Sequence, residues 1–316
     1  MTGKNRKAVP DLTVDLGRGL VLKNPVMTAS GTFGYGEEAS AYLDLSELGA
    51  VVVKGISEEP RRGNPPPRVV ETPAGMLNSI GLQNVGVKAF LAEKLPFLLD
   101  RGATVVVNVL GSTVEEYLRV TERLSTAPVI GGIEVNISCP NVKEGGVQFG
   151  MCPDMAAGLV ASLRSATDLH LMVKLSPNSG DIPGMARAVE EAGADSVSLI
   201  NTITGMDIDI RTRRPALGGV FGGLSGPAIR PVALRMVYEA FGAVRIPVVG
   251  IGGIADPEHA VKFIIAGSLA VQVGTAFFLD PLTPLRVIKG IEEYLSREGM
   301  LSLADARGSL VVGDPG

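Results

Sequence analysis

A buried strand, a glycine turn and the start of a helix follow one another in the stretch Pro247-Val248-Val249-Gly250-Ile251-Gly252-Gly253-Ile254-Ala255-Asp256-Pro257-Glu258. Its continuous apolar run is typical of a parallel strand that is covered on both faces. Asp256 followed by Pro257 is typical of a helix N-terminus, because aspartate caps free N–H groups and proline fits the first turn. The stretch therefore predicts one strand–helix unit of an α/β fold.

The same strand pattern recurs along the whole chain. Short β-branched runs with a polar residue or glycine at or next to their ends occupy Pro25–Ser30, Ala50–Gly55, Thr104–Val109, Ile133–Ser138, Leu171–Ser176, Ser196–Asn201, Pro247–Gly253 and Leu269–Thr275. Eight strands are what a closed (β/α)8 barrel requires. A helix opening within Ser112–Glu116, a helix start at Asp181, and glycines at 193 and 267 where helices should end support the alternation. We expect one (β/α)8 TIM-barrel domain spanning residues 1–316.

Three segments do not fit the plain repeat. Leu12–Leu22, with Gly17 and Gly19 at its centre, is typical of a β-hairpin, which we expect to plug the N-terminal end of the barrel. The connections Ser57–Asn84 and Asn201–Gly226 are too long for simple turns. Long ordered insertions on a barrel are usually functional loops, so we expect both over the C-terminal face.

Composition argues against several classes of protein. A net charge of −4 gives a nucleic-acid partner no electrostatic support. The N-terminus lacks the apolar region of a secretory signal, and polar residues and glycines interrupt the most apolar late stretch, 263–279. Two cysteines and two histidines form no recognisable disulfide framework, iron–sulfur motif or metal site. We expect a cytoplasmic protein without bound metal, membrane or nucleic acid.

Polar residues close most of the strands, and in such a barrel the C-terminal strand ends face the active site. These strand-end residues are Ser30, Lys54, Asn108, Asn136, Ser138, Lys174, Asn201, Gly252-Gly253 and Gly274-Thr275. The set holds amides and lysines but no carboxylate and no histidine, which suits a planar ligand rich in carbonyls and ring nitrogens. For any single position, the alternative is a polar residue that merely terminates a strand.

The glycines and the lysines of this set point to anions. Glycine-rich ends of the last two barrel strands often bind a phosphate through backbone N–H groups, although glycines needed only for packing are the alternative. Lys54 and Lys174 each close a buried strand, where an ammonium is costly unless an anion meets it. A flavin that gains electrons becomes such an anion near N1 and O2. A lysine that reaches solvent at the rim is the alternative.

Cys139 stands just past a strand end, and the glycine-rich stretch 142–146 that follows is typical of a movable lid. His170 and His259 lie away from the strand ends, which leaves Cys139 as the best candidate for a general base. The alternative is a small core residue, which is our interpretation of Cys152.

Several segments, taken in order from Leu12 onward, resemble the dihydroorotate dehydrogenase family. The most specific are Asn78-Ser79-Ile80-Gly81-Leu82-Gln83-Asn84, Asn136-Ile137-Ser138-Cys139-Pro140-Asn141, Asn201-Thr202, Gly252-Gly253 and Gly274-Thr275. The resemblance implies FMN at the barrel mouth, in contact with Ser30, Lys54, Gly55, Asn108, Asn136, Lys174, Ile200, Gly226, Gly252, Gly253, Gly274 and Thr275. It implies a substrate site formed by Lys54, Asn78, Ser79, Ile80, Gly81, Leu82, Asn136, Asn201 and Thr202.

The resemblance also implies a reaction, the oxidation of dihydroorotate to orotate in de novo pyrimidine (UMP) biosynthesis. Cys139 would remove the C5 proton while hydride passes from C6 to N5 of FMN. A cysteine base is similar to that of the soluble class 1 enzymes, since the membrane-associated class 2 enzymes carry serine there.

Within class 1, residues 139–146 and 222–228 resemble the NAD-linked type. In that type a homodimer of the barrel binds two copies of a partner subunit that carries FAD and a [2Fe–2S] cluster, giving a heterotetramer. Met151-Cys152 departs from the pattern, and we assign Cys152 no role. Three alternatives stay open: fumarate as the direct electron acceptor, a flavin-free phosphate-binding lyase or isomerase, and a non-catalytic binding barrel.

Overall fold

The computed structural model describes residues 9–138 and 149–313. In chain order the strands are β1 (Val14–Asp15), β2 (Val21–Leu22), β3 (Val26–Thr28), β4 (Val51–Ile56), β5 (Val69–Thr72), β6 (Gly75–Asn78), β7 (Val105–Val109), β8 (Gly132–Asn136), β9 (His170–Lys174), β10 (Ser196–Leu199), β11 (Ile203–Gly205), β12 (Ile208–Asp209), β13 (Arg214–Pro215), β14 (Gly222–Ser225), β15 (Val248–Ile251) and β16 (Ala270–Val273).

The α-helices are α1 (Gly86–Ala89), α2 (Leu95–Asp100), α3 (Val114–Ser125), α4 (Pro153–Ala166), α5 (Ile182–Glu191), α6 (Arg230–Ala243), α7 (Pro257–Ile265), α8 (Ala276–Leu279), α9 (Thr283–Glu298) and α10 (Leu303–Ala306). A π-helical segment, Phe90–Lys94, joins α1 to α2. Short 3₁₀ helices cover Ala39–Ala41, Leu45–Glu47, Phe149–Met151 and Pro227–Ile229. Within the described residues, no helix is both long and apolar enough to cross a membrane.

Eight strands form one parallel sheet in the order β3-β16-β15-β10-β9-β8-β7-β4. A parallel bridge between Met27 and Ala50 connects the two outer strands and closes the sheet on itself. Each of the eight overlaps one of the runs that the sequence predicted. The predicted (β/α)8 barrel is therefore confirmed.

Two helices begin at the predicted capping residues, since the side chains of Asp181 and Asp256 accept backbone N–H groups at the starts of α5 and α7. Thr113 does the same for α3, within the segment predicted to open that helix. Gly193 and Gly267 follow α5 and α7 with φ of 100° and 119°, a conformation that glycine adopts without a Cβ clash. Sharp helix ends return the chain to the sheet, so that all the strands begin at one end of the barrel and finish at the other.

The predicted hairpin is present and lies against the end of the barrel where the strands begin. β1 and β2 pair antiparallel, with Val14 opposite Leu22. The carbonyl oxygen of Gly17 lies 2.9 Å from Nδ1 of His170, which is the first residue of β9. The hairpin therefore covers the N-terminal end of the strands and leaves the other end accessible.

The two long insertions pair with each other in an antiparallel sheet of order β11-β14-β6-β5. The link is between β6 and β14, where Asn78 stands opposite Gly223. Because both insertions leave C-terminal strand ends, this mouth sheet, as we call it, stands at the C-terminal rim of the barrel. The sequence predicted the location of each insertion but not their union.

Candidate active site

A buried carboxylate lies inside the barrel below the C-terminal rim. Alternate residues of a strand share a face, so Glu134 and Asn136 of β8 both point into the barrel. Glu134 is 0% exposed. Its oxygens accept hydrogen bonds from Asn108 Nδ2 at 2.6 Å, Ser198 Oγ at 2.9 Å and Gln272 Nε2 at 2.7 Å. Three other barrel strands thus supply neutral donors to one carboxylate.

Lys174 meets this carboxylate from the neighbouring strand β9. Its Nζ lies 3.7 Å from Glu134 Oε2 and 3.4 Å from Ser30 Oγ, and its side chain is only 6% exposed. Both distances are long for an ammonium, so Nζ keeps hydrogen-bonding capacity for a further acceptor. We call Glu134, Asn108, Ser198, Gln272 and Lys174 the Glu134 cluster.

The Glu134 cluster is a correction: the strand ends predicted no carboxylate at the site, and for Lys174 they predicted either an anionic ligand or exposure to solvent. The carboxylate that Lys174 meets stands in the middle of β8 and not at a strand end. A signal was present, because a charged residue between Ile133 and Val135 breaks an otherwise apolar strand. A buried Asp or Glu needs partners, so its position predicts an interior polar cluster.

Lys54, in contrast, lies at the edge of an open cavity. The cavity has a volume of about 530 Å³, and its lining includes Lys54, Arg61 and Arg62 together with Tyr35 and Gln83. Burial lowers the pKa of Lys54, the charge of Arg68 lowers it further, and Glu38 acts in the opposite direction. The basic lining suits an anionic ligand.

Two strand-end amides that are far apart in sequence come together at the rim. Asn201 Nδ2 donates to Asn136 Oδ1 at 3.4 Å, and Asn136 stands beside Lys174 in the register of β8 and β9. The side chain of Asn201 also accepts the N–H of Thr202 at 2.8 Å. Tyr117 donates its hydroxyl to the carbonyl of Asn136 at 2.7 Å, which anchors the end of β8.

The segment from Asn78 to Leu82 forms a fixed turn after β6. Asn64 holds it by donating its side-chain amide to Ser79 Oγ at 2.8 Å and its backbone N–H to the carbonyl of Ile80 at 3.0 Å. Gly81 has φ of 72°, and a Cβ there would lie 2.5 Å from the backbone nitrogen of Asn64. Leu82 has φ of 60°. The turn leads into Gln83, which lines the same cavity as Lys54.

The glycines at the ends of β14, β15 and β16 gather on another part of the rim. Gly226 and Gly253 have positive φ, and a Cβ on Gly253 would lie 2.8 Å from the carbonyl oxygen of Gly226. Thr275 donates its hydroxyl to Ser225 Oγ at 2.8 Å, which brings the end of β16 alongside. Such crowded, side-chain-free backbone suits an anion that approaches N–H groups closely.

The remaining predicted site residues pack between these groups. Ile200 is buried, and a Cβ on Gly252 would lie 3.5 Å from its Cγ1. Gly55 leaves room for Asn108, since a Cβ there would lie 2.9 Å from Asn108 Oδ1. A Cβ on Gly274 would come within 3.1 Å of Ala29 Cβ, beside Ser30.

The predicted base, Cys139, and the predicted lid at 142–146 lie outside the described residues. Cys152 is half-buried at the start of α4. In the part of the chain that the structure describes, no group of three or more His, Cys, Asp and Glu side chains is arranged to hold a metal ion.

Comparison with known proteins agrees with the resemblance noted in the sequence. The model of the family "Dihydroorotate dehydrogenase" matches residues 13–295. The chain is 54% identical over 305 residues to "Dihydroorotate dehydrogenase B (NAD(+)), catalytic subunit" of Geotalea daltonii, covering 96% of this chain and 100% of that protein. It is 55% identical over 301 residues to the protein of the same name from Pelobacter propionicus, covering 95% and 99%.

A solved structure shares the architecture at much lower identity. The crystal structure of DHODH in complex with ferulenol from Eimeria tenella superposes with a TM-score of 0.79. The match covers 98% of this chain and 90% of that one at 21% sequence identity. At this identity the likeness supports the barrel fold alone.

Proposed function

The chain belongs to the dihydroorotate dehydrogenase family, and on that basis we propose that it oxidises dihydroorotate to orotate in pyrimidine biosynthesis. One observation carries the proposal beyond family membership. Lys174, Asn136 and Asn201 meet on one side of a rim whose other part is the glycine cluster. Ammonium and amide groups suit a flat heterocycle, while the glycines suit its phosphate.

We propose that FMN is the cofactor, because the residues present fit it. The crowded backbone at Gly226, Gly253 and Thr275 would hold the phosphate. Lys174, whose contacts to Ser30 and Glu134 are long, would face the electron-rich edge of the ring. The remaining predicted contacts are Lys54, Gly55, Asn108, Asn136, Ile200, Gly252 and Gly274. When bound, FMN supplies the two-electron acceptor that no amino-acid side chain provides.

The substrate would lie between the asparagine pair and the turn after β6. Asn136, Asn201 and Thr202 would donate to and accept from the pyrimidine carbonyl and N–H groups. Lys54, which lines the basic cavity, and the turn Asn78–Leu82, which leads into that cavity at Gln83, would hold the carboxylate end. Such fixed contacts orient C5 and C6 and exclude water.

Cys139 would act as the general base in this scheme. Its thiolate would take the C5 proton, and the electron pair of that C–H bond would form the C5–C6 double bond of orotate, while the hydride from C6 would go to the two-electron acceptor that FMN supplies. The thiol then returns the proton to solvent. A cysteine suits this step because its ordinary pKa, about 8.5, lies within reach of neutral pH.

For the electrons we propose an exit through a partner subunit to NAD. Support comes from the names of the relatives, which are catalytic subunits of NAD-dependent enzymes. The chain itself has no dinucleotide fingerprint, so a second chain would have to bind NAD. The proposed assembly is a cytoplasmic homodimer of this chain with two copies of a subunit that carries FAD and a [2Fe–2S] cluster.

The visible spectrum of the purified protein tests the first part of the proposal. We expect a flavin spectrum whose visible band bleaches when dihydroorotate is added without oxygen. Protein that is folded but colourless, and that binds no added FMN, would contradict the proposal and favour the flavin-free lyase or isomerase.

Turnover by the chain alone tests the proposed acceptor. We expect slow oxidation of dihydroorotate with fumarate, and fast reduction of NAD only after the partner subunit is added. Equally fast turnover with fumarate by the isolated chain would contradict the NAD-linked assembly but not the chemistry on dihydroorotate.

A further inference from the structure

Glu134 is a buried charge for which the reaction just described has no use. Across residues 9–138 and 149–313, it is the only Asp or Glu that is buried. Burying a carboxylate is costly, and a well-packed apolar residue in its place would often be at least as stable. Its presence in the centre of the barrel is therefore not explained by packing.

The contacts of Glu134 match an ionised carboxylate. The amides of Asn108 and Gln272 and the hydroxyl of Ser198 all donate to its two oxygens. An ionised carboxylate only accepts hydrogen bonds, and these three donors together with the nearby Lys174 ammonium satisfy that requirement. Glu134 thus stands as a negative charge directly behind the ammonium of Lys174.

The ammonium of Lys174 lies between Glu134 and Ser30, and its side chain is almost fully buried. The two charges have opposite effects on a ligand bound at the rim: the ammonium of Lys174 attracts negative charge on the ligand, and the carboxylate of Glu134 repels it. In a buried site such charges act strongly, because little water screens them. The electrostatic effect of Lys174 at the rim therefore depends on Glu134.

We infer that Glu134 acts through Lys174: its negative charge beside the ammonium limits how strongly Lys174 stabilises the reduced flavin. The inference rests on the proposed function, since it requires FMN at this rim. A flavin gains negative charge when it is reduced. Lys174 favours that charge and Glu134 opposes it, so removal of each should change the reduction potential in opposite directions.

The test is an anaerobic redox titration of the FMN-loaded protein. For Glu134→Gln we expect the ratio of affinities for reduced over oxidised FMN to rise roughly tenfold, which for a two-electron couple is about 30 mV more positive. For Lys174→Met we expect a roughly tenfold fall, about 30 mV more negative. An unchanged or lowered potential in Glu134→Gln would overturn the inference.

Ser196→Ala serves as the matched control. Ser196 is buried on the same strand, two residues before Ser198, and its hydroxyl contacts His170 instead of Glu134. We expect its potential to equal that of the parent. If the reduction potential of Ser196→Ala shifts as far as that of Glu134→Gln, the shift reflects a general loosening of the barrel, and its assignment to Glu134 fails.

Glu134→Asp covers the case in which Glu134→Gln does not fold. Aspartate keeps the charge but withdraws it from Lys174 by one methylene, so we expect a smaller rise of about threefold in the same ratio. A parental ratio in this variant would overturn the inference. Should the parent itself bind no FMN, the proposed function fails too. If dihydroorotate reduces the FMN of the parent protein but the Glu134 variants keep the parental potential, only the role of Glu134 is rejected.

Discussion

The barrel carries a charged cluster at each end, partly buried at the N-terminal end and buried at the other, and the two are built differently. At the N-terminal end the carboxylate of Asp195 bonds to Arg18 Nε, Arg164 and the backbone N–H of Leu171, each at 2.8 Å. His170 beside it contacts both Gly17 and Ser196. At the other end, Lys174 lies 3.7 Å from Glu134 and 3.4 Å from Ser30.

This difference indicates that the N-terminal cluster stabilises the fold, whereas the Glu134 cluster serves the chemistry. The N-terminal cluster, which we define as Arg18, Arg164, His170 and Asp195, has short and direct contacts that join the hairpin to strands of the barrel. In the Glu134 cluster the Lys174 ammonium has hydrogen-bond donors that are not fully used by the protein. Burying them lowers stability unless a ligand accepts from them. Barrel enzymes place their chemistry at the C-terminal end and use the other end for stability, and the two clusters follow that division.

The largest expected effect is on the rate of flavin reduction, and it tests the C-terminal end of the barrel. Cys139→Ala removes the proposed base just past β8, and loss of a positioned base costs on the order of 10²–10⁴ in rate. We expect flavin reduction by dihydroorotate, followed by stopped-flow absorbance, to slow by that factor while FMN stays bound and the urea midpoint stays unchanged.

Cys152→Ala is the control for this substitution, since Cys152 is half-buried at the start of α4 and has no assigned role. It should reduce flavin at the parental rate. A parental rate in Cys139→Ala would remove the base from the mechanism.

The second effect tests the stability end. Asp195→Asn takes away the charge that Arg18 and Arg164 share, and breaking a partly buried ion pair should lower the free energy of unfolding by about 2–4 kcal/mol. Urea unfolding measures the loss, while the rate of flavin reduction in the folded protein should remain parental.

Asp168→Asn is the matched control, because Asp168 is exposed near the same cluster. Its free energy of unfolding should change by less than about 0.5 kcal/mol. An Asp195→Asn protein with parental stability but slow flavin reduction would contradict the assignment of stability to the N-terminal end and chemistry to the C-terminal end.

The smallest effect is a pH dependence at the same end. Burial lowers the pKa of His170 below its ordinary value of about 6.5. Above that pH both folded and unfolded chains carry neutral histidine. As pH falls below it the unfolded chain takes up a proton that the folded protein resists, so stability is lost by at most about 1.4 kcal/mol per pH unit.

Urea midpoints between neutral and mildly acidic pH measure this loss, and His170→Gln should make them less dependent on pH. The rate of flavin reduction should not share the change. An identical pH slope in the variant would show that His170 does not contribute.

Much of the fold was predictable because its signals are local. Apolar runs, capping residues such as Asp181 and Asp256, and glycines after helices depend only on neighbouring residues, and all were confirmed. Lys174, Asn136 and Asn201 could be gathered from sequence as well, since parallel strands bring their C-terminal ends to one rim. The roles assigned to these residues remain proposals.

Other features of the site had no such signal. Asn64 donates hydrogen bonds to the turn at Gly81, and β6 pairs with β14. Both contacts join segments that are separate in the chain. Glu134 stands in the middle of β8, where only its charge breaks the apolar pattern, and its partners come from strands far away in the sequence.

The amino-acid sequence by itself determined the strand–helix alternation, the residues at the rim and the resemblance to one family. Only the tertiary structure decided that Lys174 faces a carboxylate of the protein and that two insertions join in the mouth sheet. The physical reason is that strand signals depend on nearest neighbours, whereas a side-chain partner depends on the closure and register of the barrel, which brings Asn136 beside Lys174.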